Sequence, residues 1–231
     1  MIGFNLWPRT FRSENRRSRN ESQVLSRQRY YGCVLLLRAP SETQISKFLS
    51  HARNSGLTYP EVGASAGSVP TGYSIDHNRI QLGLGTGTWQ RAVEAIRQWK
   101  MFEIDWLRLF WPFTPIAEGE VVAVLARFAG VYWLNACRIV YTTEEKSAIK
   151  RYGFAYGTLD DHAESGEERF TVEWNTASDE VWYDILAFSR PHQSLPKIGY
   201  VLARRLQRRF AADSQAAMVR AVGWSSSSPS A

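Results

Sequence analysis

Apolar and polar positions alternate along residues 78–190 in seven short runs, separated by a helical stretch and by turn-rich pieces. The first run, Asn78–Gly83, leads into residues 88–101, where Trp89, Val93, Ile96 and Trp99 fall on one helical stripe. Six strand-like runs follow: Phe102–Trp111, Glu120–Phe128, Leu134–Thr142, Arg151–Leu159, Glu168–Trp174 and Val181–Arg190. The pieces between them, such as "AGVY", "TEEKSA" and "NTASD", are short and hold no helix, so neighbouring strands are expected to pair antiparallel. From Ser194 to Val222 the period lengthens again. Ile198, Leu202, Leu206, Phe210, Ala217 and Met218 make the apolar stripe of a long helix, with Ser194 offering an N-cap. Upstream, Ser41 and Gln44 have capping-box spacing ahead of Ile45, Phe48 and Leu49, and Asn54–Gly56 is the stop signal of that helix.

Strand, helix, six-strand meander and long helix predict one α+β domain over residues 34–222. It would be a curved seven-stranded antiparallel sheet wrapped around the long C-terminal helix. This order resembles the helix-grip fold of START-like lipid-transfer domains and of the birch-pollen allergen. That resemblance implies an apolar cavity between sheet and helix. The runs Glu120–Phe128 and Val181–Arg190 carry apolar residues on both parities, so the outer face of the sheet is expected to be covered as well. Residues 34–60, or a second subunit in a homodimer, would do this.

Gly83, Gly85 and Gly87 sit where a strand gives way to a helix, as phosphate-binding glycines do. Only one βα step precedes the meander, and Thr88 stands where the third glycine belongs. The glycines are therefore read as a tight turn, with no cofactor expected.

Charge changes the picture at the N-terminus. Residues 1–30 hold seven arginines against Glu14 and Glu21, a net +5 of the chain's +6. The remaining residues are close to neutral, so no nucleic-acid partner is expected. Residues 1–33 read as a basic disordered arm and 223–231 as a disordered Ser-rich tail. Two cysteines make no disulfide framework and no metal-ligand pair, in keeping with a reducing, cytoplasmic setting. An organelle is the alternative if the Arg/Ser-rich arm is a transit peptide. No apolar run reaches the length of a membrane span.

The strings "YPEVGAS", "GYSIDHNRIQLG", "RYGFAYGTLDDHAESGEERFTVEW", "VWYDILAFSRP" and "RRLQRRFAADSQAAM" resemble, in order, the family designated domain of unknown function nineteen-ninety. The resemblance runs from about Leu36 to Val222. It implies no activity and transfers no catalytic residue.

Candidate chemistry must then come from the residues. His77 stands beside Asp76, on a strand where sequence neighbours point to opposite faces. Glu168 shares a parity with Phe170, Val172 and Trp174, which would bury a carboxylate. Asp184 sits amid Trp182, Leu186 and Phe188, with Arg138 the expected partner. His77, Asp184 and Glu168 are the catalytic candidates. Arg79, Arg138, Tyr141, Phe154 and Tyr156 are the ligand-contact candidates, with Asn135, Cys137, Ile139 and Tyr141 placed on one side of their strand. His162 and Glu164 lack further ligands at metal-site spacing, so no metal is expected. Arg204, Arg205, Arg208 and Arg209 read as a solvated basic patch beside Asp213. Three functions fit: binding of a small hydrophobic or aromatic ligand in the cavity, an acid/base cyclase, dehydratase or hydrolase in the same cavity, and an interaction protein with the cavity filled.

Overall fold

A computed structural model describes residues 29–30, 33–192 and 197–223. Its spine is the antiparallel meander. Strands β5 (Val121–Phe128), β6 (Val131–Lys146), β7 (Ile149–Thr158), β8 (Glu164–Asn175) and β9 (Glu180–Pro191) pair in sequence order. β4 (Leu107–Phe110) adds to β5 at one edge, and β3 (Ser74–Leu84) adds to β9 at the other. The result is the expected seven-stranded antiparallel sheet, in the order β4-β5-β6-β7-β8-β9-β3. A hairpin of β1 (Arg29–Tyr30) and β2 (Cys33–Leu36) pairs with β6 beside Leu134, so strand pairing includes residues before the expected boundary at 34. The rest of the basic arm, residues 1–28 and 31–32, and the tail beyond residue 223 lie outside the described residues.

Helix α1 (Glu42–Ala52) carries the capping box: Gln44 N donates to Ser41 Oγ at 3.3 Å, and Ser41 N to Gln44 Oε1 at 2.8 Å. Its buried face of Ile45, Phe48, Leu49 and Ala52 packs on Val121, Ala123, Leu125, Leu134 and Ala136 from the outer face of β5 and β6. Burying the three larger side chains contributes about 1.5–3 kcal/mol each. Residues 57–73, with a helical turn over Ala64–Ala66, strap the outer face of β7–β9. The chain thus supplies the predicted cover itself, and the sequence reason for a second subunit disappears.

Helix α2 (Gly85–Arg97) and helix α3 (Lys197–Val222) lie on the inner face. α2 starts at Gly85, three residues earlier than expected, because Gly85 adopts φ +82° and donates its N–H to Asp179 O at 2.8 Å. The glycine run makes the strand-to-helix turn. At the far end the helix stops at Arg97, and Trp99 takes φ +56°. A second helical turn, Lys100–Phe102, then places Met101 and Phe102 in the core, so the next strand starts at Leu107 and not at Phe102. Burial of two side chains in one short turn outweighs strand propensity there. α3 begins at Lys197 within the described residues; Ser194 lies outside them.

Candidate functional site

Strand register sorts the inner face into cross-strand rows. One row is Phe154, Phe170 and Ile185, all fully buried. Phe154 packs on Trp99 at 4.8 Å and on Phe170 at 5.3 Å, and Phe102 joins Phe170 to Phe210 of α3. This end of the space between sheet and helix is solid aromatic core, closed further by Tyr183 donating or accepting at Ser214 Oγ, 2.9 Å away.

The next row is Tyr156, Glu168, Ala187 and Asp76, and it is different in kind. Glu168, Ala187 and Asp76 keep partial exposure although they face α3, as do Ser189, Glu164 and Asn135 beyond them. Tyr156 donates to Glu168 Oε2 at 2.8 Å. Arg204 of α3 forks onto both oxygens of Asp76, with Nη2 to Oδ1 at 2.8 Å. Gln207, one turn along, binds Glu164 and reaches Ser189 Oγ at 3.1 Å. Enclosure by protein pushes the Glu168 carboxyl up to about 7, and the charges of Glu164 and Asp76 add to this against the Tyr156 hydrogen bond. Burial likewise raises Glu164, and it holds His162 down at about 4. The Tyr156 phenol and the Cys137 thiol are pushed well above their ordinary values by desolvation.

The outer face of the same strands holds a second polar set. Glu167 accepts from Tyr59 Oη and Gly63 N, both at 2.7 Å, from Ser65 N at 2.9 Å and from Ser65 Oγ. With the Ser65 proton committed to Glu167, the Tyr141 hydroxyl donates to Ser65 Oγ at 2.7 Å. Arg169 donates to Ser65 O at 2.7 Å and to Asp184 Oδ1 at 2.8 Å, and His77 Nε2 lies 2.6 Å from Asp184 Oδ2. These contacts pin the strap to the sheet.

A model of one family, Domain of unknown function (DUF1990), matches residues 58–217, most of the chain. The chain belongs to the DUF1990 family. It is 34% identical over 208 residues to a UPF0548 protein of Dictyostelium discoideum, covering 82% of this chain and 96% of that one. It is 35% identical over 202 residues to a UPF0548 protein of Deinococcus radiodurans, covering 82% and 100%. Among solved structures, that of human STARD10 is similar with a TM-score of 0.40 and 13% identity, covering 80% of each chain. The crystal structure of Ara h 8.0201 gives a TM-score of 0.38 and 9% identity, covering 64% of this chain and 99% of that one.

In this DUF1990 chain the candidates divide between the two faces. Glu168, Tyr156 and Phe154 point inward; His77, Asp184, Arg79, Arg138 and Tyr141 point outward. Asp76 and His77 take opposite faces, as strand geometry requires. Tyr141 leaves the side expected for it because a register shift between Ile139 and Tyr141 flips the strand. Arg138 is not the partner of Asp184. It donates to the carbonyls of Arg53 and Ser55 at 3.1 and 2.9 Å, at the C-terminus of α1, where a cation complements the helix dipole. Arg79 joins a surface ladder, pairing with Glu173 at 2.7 Å. Asp184 lies among apolar neighbours because the strap makes its outer face dry: Tyr59 and Tyr73 stand edge-on to Phe188. Arg204 departs from the expected solvated patch by turning inward to Asp76, whereas Arg209 pairs with Asp213 at 3.3 Å.

A separate groove of about 380 Å³ runs between the C-terminal parts of α2 and α3. Its polar walls are spent on one another: Lys100 pairs with Glu103 at 2.7 Å, Gln98 with Glu94 at 2.7 Å, and Arg91 donates to Val222 O at 2.8 Å. Among the described residues no group of three His, Cys, Asp or Glu is placed to hold a metal ion, and no helix is long and apolar enough to cross a membrane.

Proposed function

We propose that the protein binds a small molecule between the sheet and the N-terminal part of α3. The ligand has an apolar or aromatic body and one polar end. A single observation carries this reading: two adjacent cross-strand rows differ, the first sealed around Phe154 and Phe170, the second partly exposed around Glu168 and Asp76. Apolar walls with a few convergent polar groups are what a small-molecule site requires. The body would rest on Phe210 and on the edge of Tyr156, above the sealed row. The polar end would meet Glu168, Asp76 and Arg204.

Native mass spectrometry of the full chain purified from cells, followed by thermal melts with aromatic amphiphiles, tests this. A bound species, or a rise in Tm that saturates with ligand, is the expected result. Ala187→Leu, which fills the row beside Glu168, should abolish the effect, while Ala221→Leu in the α2–α3 groove should leave it. Binding lost through Ala221→Leu and kept through Ala187→Leu would move the site to the groove and overturn the reading.

A further inference from the structure

Resting on that binding reading, we infer that Glu168 is a catalytic base that moves a proton on the bound molecule, with Tyr156 as its positioning residue. The substrate class is an enolisable carbonyl carried on an aromatic or alicyclic body.

The geometry makes the case. Tyr156 Oη fixes one carboxylate oxygen, Oε2, at 2.8 Å, and no described residue hydrogen-bonds the other. Glu168 keeps partial exposure on a face otherwise turned to α3, so Oε1 is the acceptor available to a ligand. Tyr156 packs on the buried Phe170 with ring centroids 5.2 Å apart, which holds the tyrosine rigid beside the carboxylate. The groups facing Glu168 are Tyr156 from β7, Glu164 from its own strand, Asp76 from β3, Cys137 from β6, Tyr183 from β9 and, across the row, Arg204 from α3. Arg204 is engaged by Asp76, and the two carboxylates oppose ionisation of Glu168. The other inner groups are poorly suited to the task. Cys137 and the two phenols hold their protons, His162 accepts the Glu164 N–H on Nδ1 at 3.0 Å, and Glu164 is bound by Gln207. A base poised near neutral pH is the efficient one.

In the step, the Glu168 carboxylate takes the α-proton. The C–H electron pair moves to form the enolate, with charge on the carbonyl oxygen. The Glu168 carboxyl then returns a proton to carbon, so no oxidant, reductant or further reactant is consumed.

The probe is 2-tetralone in deuterated buffer, with α-proton exchange followed by NMR against a protein-free control. 2-Naphthol, which mimics the planar enol and cannot exchange in the same way, reports binding by its fluorescence. We expect exchange above the control, rising with pH through an inflection near 7, and falling by at least ~10²-fold in Glu168→Gln, the low end for a positioned base. Tyr156→Phe should retain exchange but shift the inflection upward, a change that a merely structural tyrosine would not produce. Both variants are checked for unchanged circular dichroism, and Glu168→Asp replaces Glu168→Gln if the latter does not fold. Binding of 2-naphthol without Glu168-dependent exchange overturns the base and leaves the binding site standing. No binding of either compound overturns both.

Discussion

Glu167 and Glu168 are adjacent in the chain and leave the sheet through opposite faces, with opposite fates. Glu167 is 2% exposed and accepts four hydrogen bonds from the strap. Glu168 accepts one, from Tyr156, and its carboxyl is pushed up to about 7. Strand alternation separates them, and hydrogen-bond supply decides the rest.

The Glu167 anchor predicts that Glu167→Ala costs about 3–5 kcal/mol, because it strands four donors that no longer meet water or protein. Urea denaturation measures this. Limited proteolysis should cut within residues 60–72 of the variant well before the wild type. Equal stability of the two proteins would mean that the strap is held by its aromatic contacts instead.

Gly157 lies where any Cβ would run into Tyr59 Oη and come within 2.8 Å of both Leu57 Cδ2 and the Tyr59 ring. Gly157→Ala should therefore push Tyr59 off Glu167 and destabilise by about 2 kcal/mol, in the range of overpacking and a lost buried hydrogen bond. Tyr59→Phe in the same background removes the worst contact and should cost less than the two single changes summed. Additive losses in a double-mutant cycle would show that the two sites are independent.

Arg138 holds the last turn of α1 by its carbonyls. Both hydrogen bonds come from one nitrogen, Nη2, so Arg138→Met, which keeps an apolar stem and removes the donor and its charge, should cost about 1 kcal/mol. The loss should be local. Hydrogen exchange is expected to rise in α1 and to stay unchanged in α3; acceleration throughout the chain would point to a wider role for this arginine.

Glu168 also predicts a pH dependence of stability. Its folded-state pKa, about 7, lies above its ordinary value of 4.5, so its contribution is complete below pH 4.5 and is lost as pH rises through 7. The full window is worth at most roughly 3 kcal/mol, because each tenfold change in proton affinity corresponds to about 1.4 kcal/mol. His162 has the opposite slope: its folded value, about 4, is depressed from 6.5, so stability is lost as pH falls below 6.5 toward 4. The two partly offset between pH 4.5 and 6.5. The clean readout is the difference between wild type and Glu168→Gln, which should fall steadily from pH 4.5 to 7 in favour of the glutamine variant. A difference that stays flat across this range would place Glu168 in water.

Much of the architecture was legible in the chain. Period-two runs gave the meander, short connections forced antiparallel pairing, and a 3.6-residue stripe over one long segment marked α3. Ser41 and Gln44 announced α1, and mixed parity in Val121–Phe128 announced that α1 would have something to cover. These are local properties, set by backbone geometry and by the side of each element that must leave water. The site was only half legible. Parity put Glu168 inward beside Phe170, and separated Asp76 from His77. It could not place Tyr141, because one register shift between Ile139 and Tyr141 reverses every later side chain of that strand. Nor could it give Asp184 its partners, Arg169 and His77, or bring Ser65 to Glu167 from 102 residues away. Charged groups find partners through space, and which of two carboxylates in a row is fully satisfied and which is left poised depends on what the fold lays against each face.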